Sequence, residues 1–180
     1  MDVNLLTQQC MTYSIAKPLS YSAPASAGVV MQLKAPATGE VLRLDELSHP
    51  LLQAGLLGSG AAVSMTTGEI CAPVSGVVHS ISVARAQLVL VHPKGLKLQL
   101  QIGQPGEIGY GERLRWLVKK GQRCEAGLPL IQSDPLWIKQ QGALPVCVLT
   151  LLNAARLKAL VLTSDPKVRL NDDGFLTLYA

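Results

Sequence analysis

The stretch "AQLVLVHPKGLKLQLQIG", residues 86–103, constrains the fold more than any other part of the chain. Its second half alternates strictly. Leu96, Leu98, Leu100 and Ile102 fall on one face, and Lys97, Gln99 and Gln101 on the other. A period of two is the mark of a strand with one buried face. Pro93 suits the second position of a type I turn and Gly95 the fourth, so the two halves read as one hairpin. With Pro93 and Lys94 at the tip, Val91 pairs with Leu96 and Val89 with Leu98 on the core face. On the other face Leu90 meets Lys97, Leu88 meets Gln99 and Ala86 meets Gln101. Directly opposed residues have Cβ atoms about 5 Å apart, so Ala86 and Gln101 are expected as neighbours at the open end.

The rest of the chain uses the same grammar. Hydrophobic residues make up 48% of 180 positions, yet aromatics are 4% and Phe175 is the single Phe. Aliphatic runs between Gly- and Pro-rich turns point to many short strands. "APATGEV" at 35–41 recurs as "APVSGVV" at 72–78, each with a Pro entry, a small hydroxyl residue and Gly before a departing strand. "GSGAAV" at 58–63 and "GQRCEAG" at 121–127 are related glycine-spaced segments. The expected fold is all-β: an antiparallel, barrel-like sandwich with a pseudo-two-fold repeat and two short helices near the C-terminus. One helix is "SDPLWIKQQG", with a Ser-Asp cap, Pro in the first turn and Gly142 at its close. The other is "NAARLKALV", opening on Asn153 with Leu157, Leu160 and Val161 on one face. Residues 1–28, rich in Ser, Pro, Ala and Gly towards their end, read as a flexible tail, and 29–180 as one domain.

Several function classes drop out. The net charge is +4, and the densest basic group is Arg113, Arg115, Lys119, Lys120 and Arg123 around Trp116. A solvated face is expected there rather than a nucleic-acid surface. Cys10, Cys71, Cys124 and Cys147 are far apart, so neither a zinc ribbon nor a redox pair is written, and buried free thiols of a reducing cytosol are expected. No apolar run approaches the ~20 residues of a membrane span. Biotinyl and lipoyl carriers need a hairpin-tip lysine in a tripeptide that is absent. The histidines, His49, His79 and His92, lack the H-x-H spacing of barrel-like zinc endopeptidases, so no metal and no cofactor is expected.

From Leu33 to about Gln140 the chain resembles the glucose-type enzyme IIA domain of the bacterial phosphoenolpyruvate-dependent sugar phosphotransferase system. The resemblance rests on "APATGEVLRLDEL", "LLGSGAAV", "APVSGVV", "GLKLQLQIG" and "GQRCEAG" in order and spacing, with "LPVCVLTLLN" following. It implies an antiparallel β-sandwich that takes a phosphoryl group from a small histidine phosphocarrier protein and passes it to the permease's IIB domain. It also implies two facing histidines, with the acceptor in an apolar-His-Phe-Gly motif. Carried over, the acceptor position is Gln101, in "LQIG", and the partner position is Ala86. The aromatic ring around the acceptor maps to Leu52, Ser82, Leu88 and Gln99.

An amide nitrogen has its lone pair tied up by conjugation and is no nucleophile. The expectation is therefore a cytoplasmic enzyme IIA-like module that is not an enzyme: a pseudo-phosphocarrier with catalytic residues none. It would regulate by binding a protein partner, such as a sugar permease, a phosphotransferase component or a metabolic enzyme. Leu51, Leu52, Leu56, Leu57 and Leu88 would supply the apolar contact surface, with His49 in the bordering loop. Two alternatives stand beside it. One is an active carrier with an unusual acceptor, for which His49 is the best substitute. The other is a sugar-binding barrel using Lys97, Gln99 and Gln101.

Overall fold

The computed structural model describes residues 19, 20, 22–107 and 111–180. In chain order the strands are β1 (Leu19–Ser20), β2 (Val29–Leu33), β3 (Gly39–Arg43), β4 (Ser59–Met65), β5 (Glu69–Cys71), β6 (Gly76–Ser82), β7 (Gln87–Val91), β8 (Lys97–Ile102), β9 (Arg115–Trp116), β10 (Arg123–Cys124), β11 (Pro129–Gln132), β12 (Val146–Leu151), β13 (Ala159–Leu162), β14 (Lys167–Val168) and β15 (Leu176–Tyr179). They form an eight-stranded sheet in the order β10-β6-β7-β8-β12-β4-β3-β14, a four-stranded sheet β1-β13-β15-β2 and a three-stranded sheet β5-β11-β9. The described pairings are antiparallel except β1 with β13. The sheets remain open rather than closing into a barrel. The expected all-β class holds. Between the sheets lies one main aliphatic core, including Leu33, Ile70, Leu88, Leu90, Leu98, Leu100, Leu149 and Phe175.

The "AP…G" echo is a structural two-fold. Lys34 N–H donates to the Pro73 carbonyl and Cys71 N–H to the Pro36 carbonyl, each at 2.9 Å. The two repeats thus exchange hydrogen bonds reciprocally. The relation extends to segments that share no obvious sequence. Gly127 N–H donates to Ala72 O and Asn171 N–H to Ala35 O, and both residues have positive φ, 88° and 68°. β10 pairs with β6 as β14 pairs with β3. Asn tolerates the left-handed conformation that Gly adopts freely, so Asn171 stands in for a turn glycine.

Two α-helices occur among the described residues: α1 (Pro50–Gln53) and α2 (Pro135–Gln140). The sequence places α2 well: Asp134 caps it by accepting the Trp137 N–H at 3.0 Å, and Gly142 follows it with φ 80°. The second expected helix is corrected. Ala154–Arg156 is a single 3-10 turn, and Ala159–Leu162 is β13, paired to β15. Leu160 and Leu162 are buried while Val161 is only half-buried, which is strand alternation read as helical spacing. The expected tail over 1–28 falls largely outside the described residues; within it, Leu19–Ser20 pairs with β13, and Gly28 exchanges hydrogen bonds with Ala180.

The hairpin register is also corrected, by one residue. Gln87 lies opposite Gln101, Leu88 opposite Leu100, Val89 opposite Gln99 and Leu90 opposite Leu98. The cause is the loop. His92 N–H donates to Leu96 O and Gly95 N–H to His92 O, with Gly95 at φ 85°. This is a type I turn followed by a left-handed glycine bulge, which consumes one more residue than a two-residue tip. Leu88 and Leu90 therefore join the core, both 0% exposed.

The same loop holds His92. Burial, and then the adjacent Lys94 charge, push its imidazole below its usual range, and its Nδ1 accepts the Lys94 N–H at 3.1 Å. A depressed folded-state pKa means that the unfolded chain binds the proton first. This contribution to stability is therefore complete above about pH 6.5 and is lost as pH falls through that value towards the folded pKa. In urea denaturation at about pH 8 and about pH 5, His92→Ala should show a smaller acid-induced loss than the wild type. An unchanged loss would contradict this role.

Candidate functional site

The face of the eight-stranded sheet turned away from the main core carries a continuous row. Ser82, Gln87, Gln101, Val148, Ala62 and Leu42 are successive partners across β6, β7, β8, β12, β4 and β3, and opposed side chains share a face. The next row on that face runs Ser80, Val89, Gln99, Thr150 and Gly60. The apolar end of the first row is covered. Leu44 of the 3-10 turn Leu44–Glu46, Leu47 just after it and Leu52 of α1 pack with Ala62, Val146 and Val148 into a second small cluster. The polar end begins where this cover stops. Gln99 and Gln101 are only 9% and 6% exposed, so the polar row is a recessed floor rather than a wet surface.

A buried amide pins the covering segment. Gln104, 3% exposed, accepts the His49 N–H at 2.8 Å through Oε1; its Nε2 donates to Ser48 Oγ at 2.9 Å and to Glu107 Oε1 at 2.7 Å. Losing such a buried amide's partners costs about 1–3 kcal/mol. Sequence reasoning missed both Gln87 and Gln104. Gln87 was hidden by the register slip, and Gln104 lies beyond the end of β8 and out of phase with the two-residue spacing of Gln99 and Gln101.

The other expected site residues are placed unevenly. Ala86 is buried at the end of a 3-10 turn (Val83–Arg85), with φ 50° and ψ 45°. Its carbonyl accepts the Ile102 N–H at 3.0 Å, so its cross-strand neighbour is Ile102 rather than Gln101. Ser82 and Gln99 line the floor. Leu52 roofs its apolar end at 2% exposure, and Leu88 is corrected to the opposite, core face. Of the leucines expected at the surface, Leu51 and Leu56 are exposed at 44% and 55%, and Leu57 is half-buried. Val83, beside Ala86, is 52% exposed. His49 lies in the loop at the start of α1, its Nδ1 buried without a partner. His79 is exposed at a bulge between Val78 and Ser80, about 10 Å along β6 from Ser82. His92 is at the far tip of the hairpin.

Away from this face, the cationic residues 113, 115, 119, 120 and 123 are all exposed. Arg113 pairs with Asp134 at 3.5 Å and stands over the Trp137 ring at 5.7 Å. Cys71, Cys124 and Cys147 are buried free thiols, and burial pushes the Cys147 thiol up to about 12. Cys10 lies outside the described residues. No helix among the described residues is long and apolar enough to cross a membrane.

The antiparallel sandwich and the sequence together place the chain in one protein class. The chain belongs to the family of phosphoenolpyruvate-dependent sugar phosphotransferase system EIIA 1 domains, whose model matches residues 31–157. Among its relatives is the glucose-specific EIIA component of Staphylococcus epidermidis, 24% identical over 72% of this chain and 78% of that protein. Two multi-component relatives match as well. The glucose-specific EIIBCA component of Corynebacterium glutamicum is 27% identical over 76% of this chain, and the glucoside-specific EIICBA component of Staphylococcus carnosus is 30% identical over 72%. The chain spans only about a fifth of the length of these two, 20% and 18%. Glucose permease IIA from Mycoplasma capricolum shares the fold, with a TM-score of 0.68 at 20% identity, over 83% of this chain and 94% of that one.

These matches correct one expectation. The chain was expected not to be an enzyme but a pseudo-phosphocarrier. Its relatives are named phosphotransferase-system EIIA components, and the family it belongs to is one of phosphoryl transfer.

Proposed function

We propose that this chain is a regulatory EIIA-type domain of a cytoplasmic sugar phosphotransferase system, acting by docking on a sugar-permease component through the face around Gln101. In this reading Gln101 and Ala86 occupy the positions of the family's acceptor and partner histidines. The observation that carries it is the row Ser82–Gln87–Gln101. It is uncharged and holds no imidazole, with Gln101 buried and Ser82 and Gln87 half-buried, and it neighbours a segment that leaves Leu51 and Leu56 exposed. Exposed leucines beside a polar floor suit a protein interface with an apolar anchor and a neutral centre. The boundary at residues 28 and 29 belongs to the same proposal; the family match begins at 31, inside β2.

The test is binding of the purified full chain to a permease IIB domain, by titration calorimetry. Leu51→Asp and Leu56→Asp, both at exposed positions that spare the core, should each weaken binding about tenfold or more. Wild-type affinity in both variants, or absent binding by the parent, overturns the docking role. A parallel incubation with phosphoenolpyruvate, enzyme I and the histidine phosphocarrier tests the site. The Ala86→His, Gln101→His double variant should acquire acid-labile label at residue 101 that the parent lacks there. His is among the residues that tolerate the positive φ at position 86. Label on the parent's His49 or His79 would identify another acceptor for the family's phosphoryl transfer, beside the docking role.

A further inference from the structure

A second concavity lies at the opposite end of the hairpin from Gln101. It has a volume of ≈ 440 Å³ and is walled by three elements: Val30 and Met31 of β2 with Leu178 of β15, Leu96 after the hairpin tip, and Leu157 after the 3-10 turn Ala154–Arg156. Along β8, Leu96 is about 17 Å from Gln101, so this pocket is separate from the recessed row. We propose that it binds a small aliphatic carboxylate, apolar tail inward and head group at Lys94.

Size, chemistry and rigidity support that occupant. The volume falls within the ~300–1,000 Å³ of small-molecule sites. The side chains named above are all apolar, and Val30 stays 43% exposed in a strand that is otherwise a sheet edge. Lys94 is the one ionisable residue in the lining and forms no ion pair with a described residue. Its long stem can lie along the apolar wall while the ammonium meets an anion at the mouth. The other polar lining group is already engaged: Asn153 Oδ1 accepts the Lys97 N–H and its Nδ2 donates to Gly95 O, each at 2.8 Å. These two bonds clamp the hairpin tip, so the pocket exists before a ligand arrives and little ordering is required. With the Asn153 amide occupied, a sugar would bury hydroxyls without partners. A single negative head on a hydrocarbon tail leaves none.

The inference does not depend on the docking role of the Gln101 face. It is tested on the full chain by titration calorimetry with sodium octanoate, using 1-octanol as the uncharged analogue. One octanoate should bind saturably, and octanol at least tenfold more weakly. Lys94→Glu should weaken octanoate at least tenfold, whereas Lys97→Glu, on the same hairpin but outside the lining, should not. Ala155→Trp, at an exposed lining position, should fill the mouth and abolish binding with an unchanged melting temperature. No saturable binding, equal affinity for octanoate and octanol, or octanoate binding that survives Ala155→Trp overturns the proposal.

Discussion

Gly60→Ala is expected to leave little folded protein at about 37 °C. Gly60 sits in β4 opposite Thr150 of β12. A methyl there would stand 1.9 Å from the Leu149 carbonyl oxygen and 2.9 Å from its carbon. Both atoms are backbone in the middle of a sheet, so no side chain can swing aside. The strands must part, which disturbs β12 on both sides, since β12 also pairs with β8. Overpacking costs about 1–3 kcal/mol and occasionally more; with backbone as the only neighbour able to give, this site falls at or above the top of that range, a large share of the about 5–15 kcal/mol that holds a domain folded. Soluble yield and urea midpoint measure it. Gly95→Ala is the internal contrast: a methyl there meets nothing within 4 Å, and only its positive φ is penalised.

Phe175→Ala should lower stability by about 3–5 kcal/mol. Phe175 is the only Phe in the chain and is wholly buried in the aliphatic core. The core it belongs to is close-packed and aliphatic, so the space left by the ring is not refilled by small side-chain shifts. Phe175→Leu keeps most of the volume and should cost about 1.5 kcal/mol or less. Denaturant midpoints with an unchanged slope would establish both values. Equal, small effects for the two variants would show that the core repacks around this position.

Much of this architecture could be read from residues before any coordinates. The alternation of 96–102 marks β8, and the Asp134-Pro135 start with Gly142 marks α2. Other features were written in signals that have two meanings. Gly95 after Pro93-Lys94 serves as the last residue of a tight turn or as a bulge, and the structure uses the bulge. That one residue exchanged the faces of β7, sent Leu88 and Leu90 to the core and put Gln87 on the floor. Leu157, Leu160 and Val161 suit helix and strand alike, and pairing with β15 decides for the strand. α1 had its signal in Pro50 and Gly55, but four residues are too few to show a period. Half of the internal repeat was invisible because Asn171 does the work of Gly127. At the site, the spacing located the strand but not the roof. Leu52 and Gln104 meet the floor through tertiary contacts that no local pattern encodes.

The reciprocal bonding between the two Ala-Pro repeats bears on how the molecule opens. Lys34 and Cys71 each depend on a carbonyl from the other repeat, and Ala35 and Ala72 donate in turn to Asp172 and Leu128, far along the chain. Neither half can release its own amides without dismantling the other. In native-state hydrogen exchange these four amides should therefore behave as one unit, exchanging only through global unfolding and with the same urea dependence. The hairpin tip is held differently: its own bonds run between residues 92 and 96, and Asn153 ties it to a distant segment. The chain would thus carry its slowest-exchanging amides where distant segments interlock.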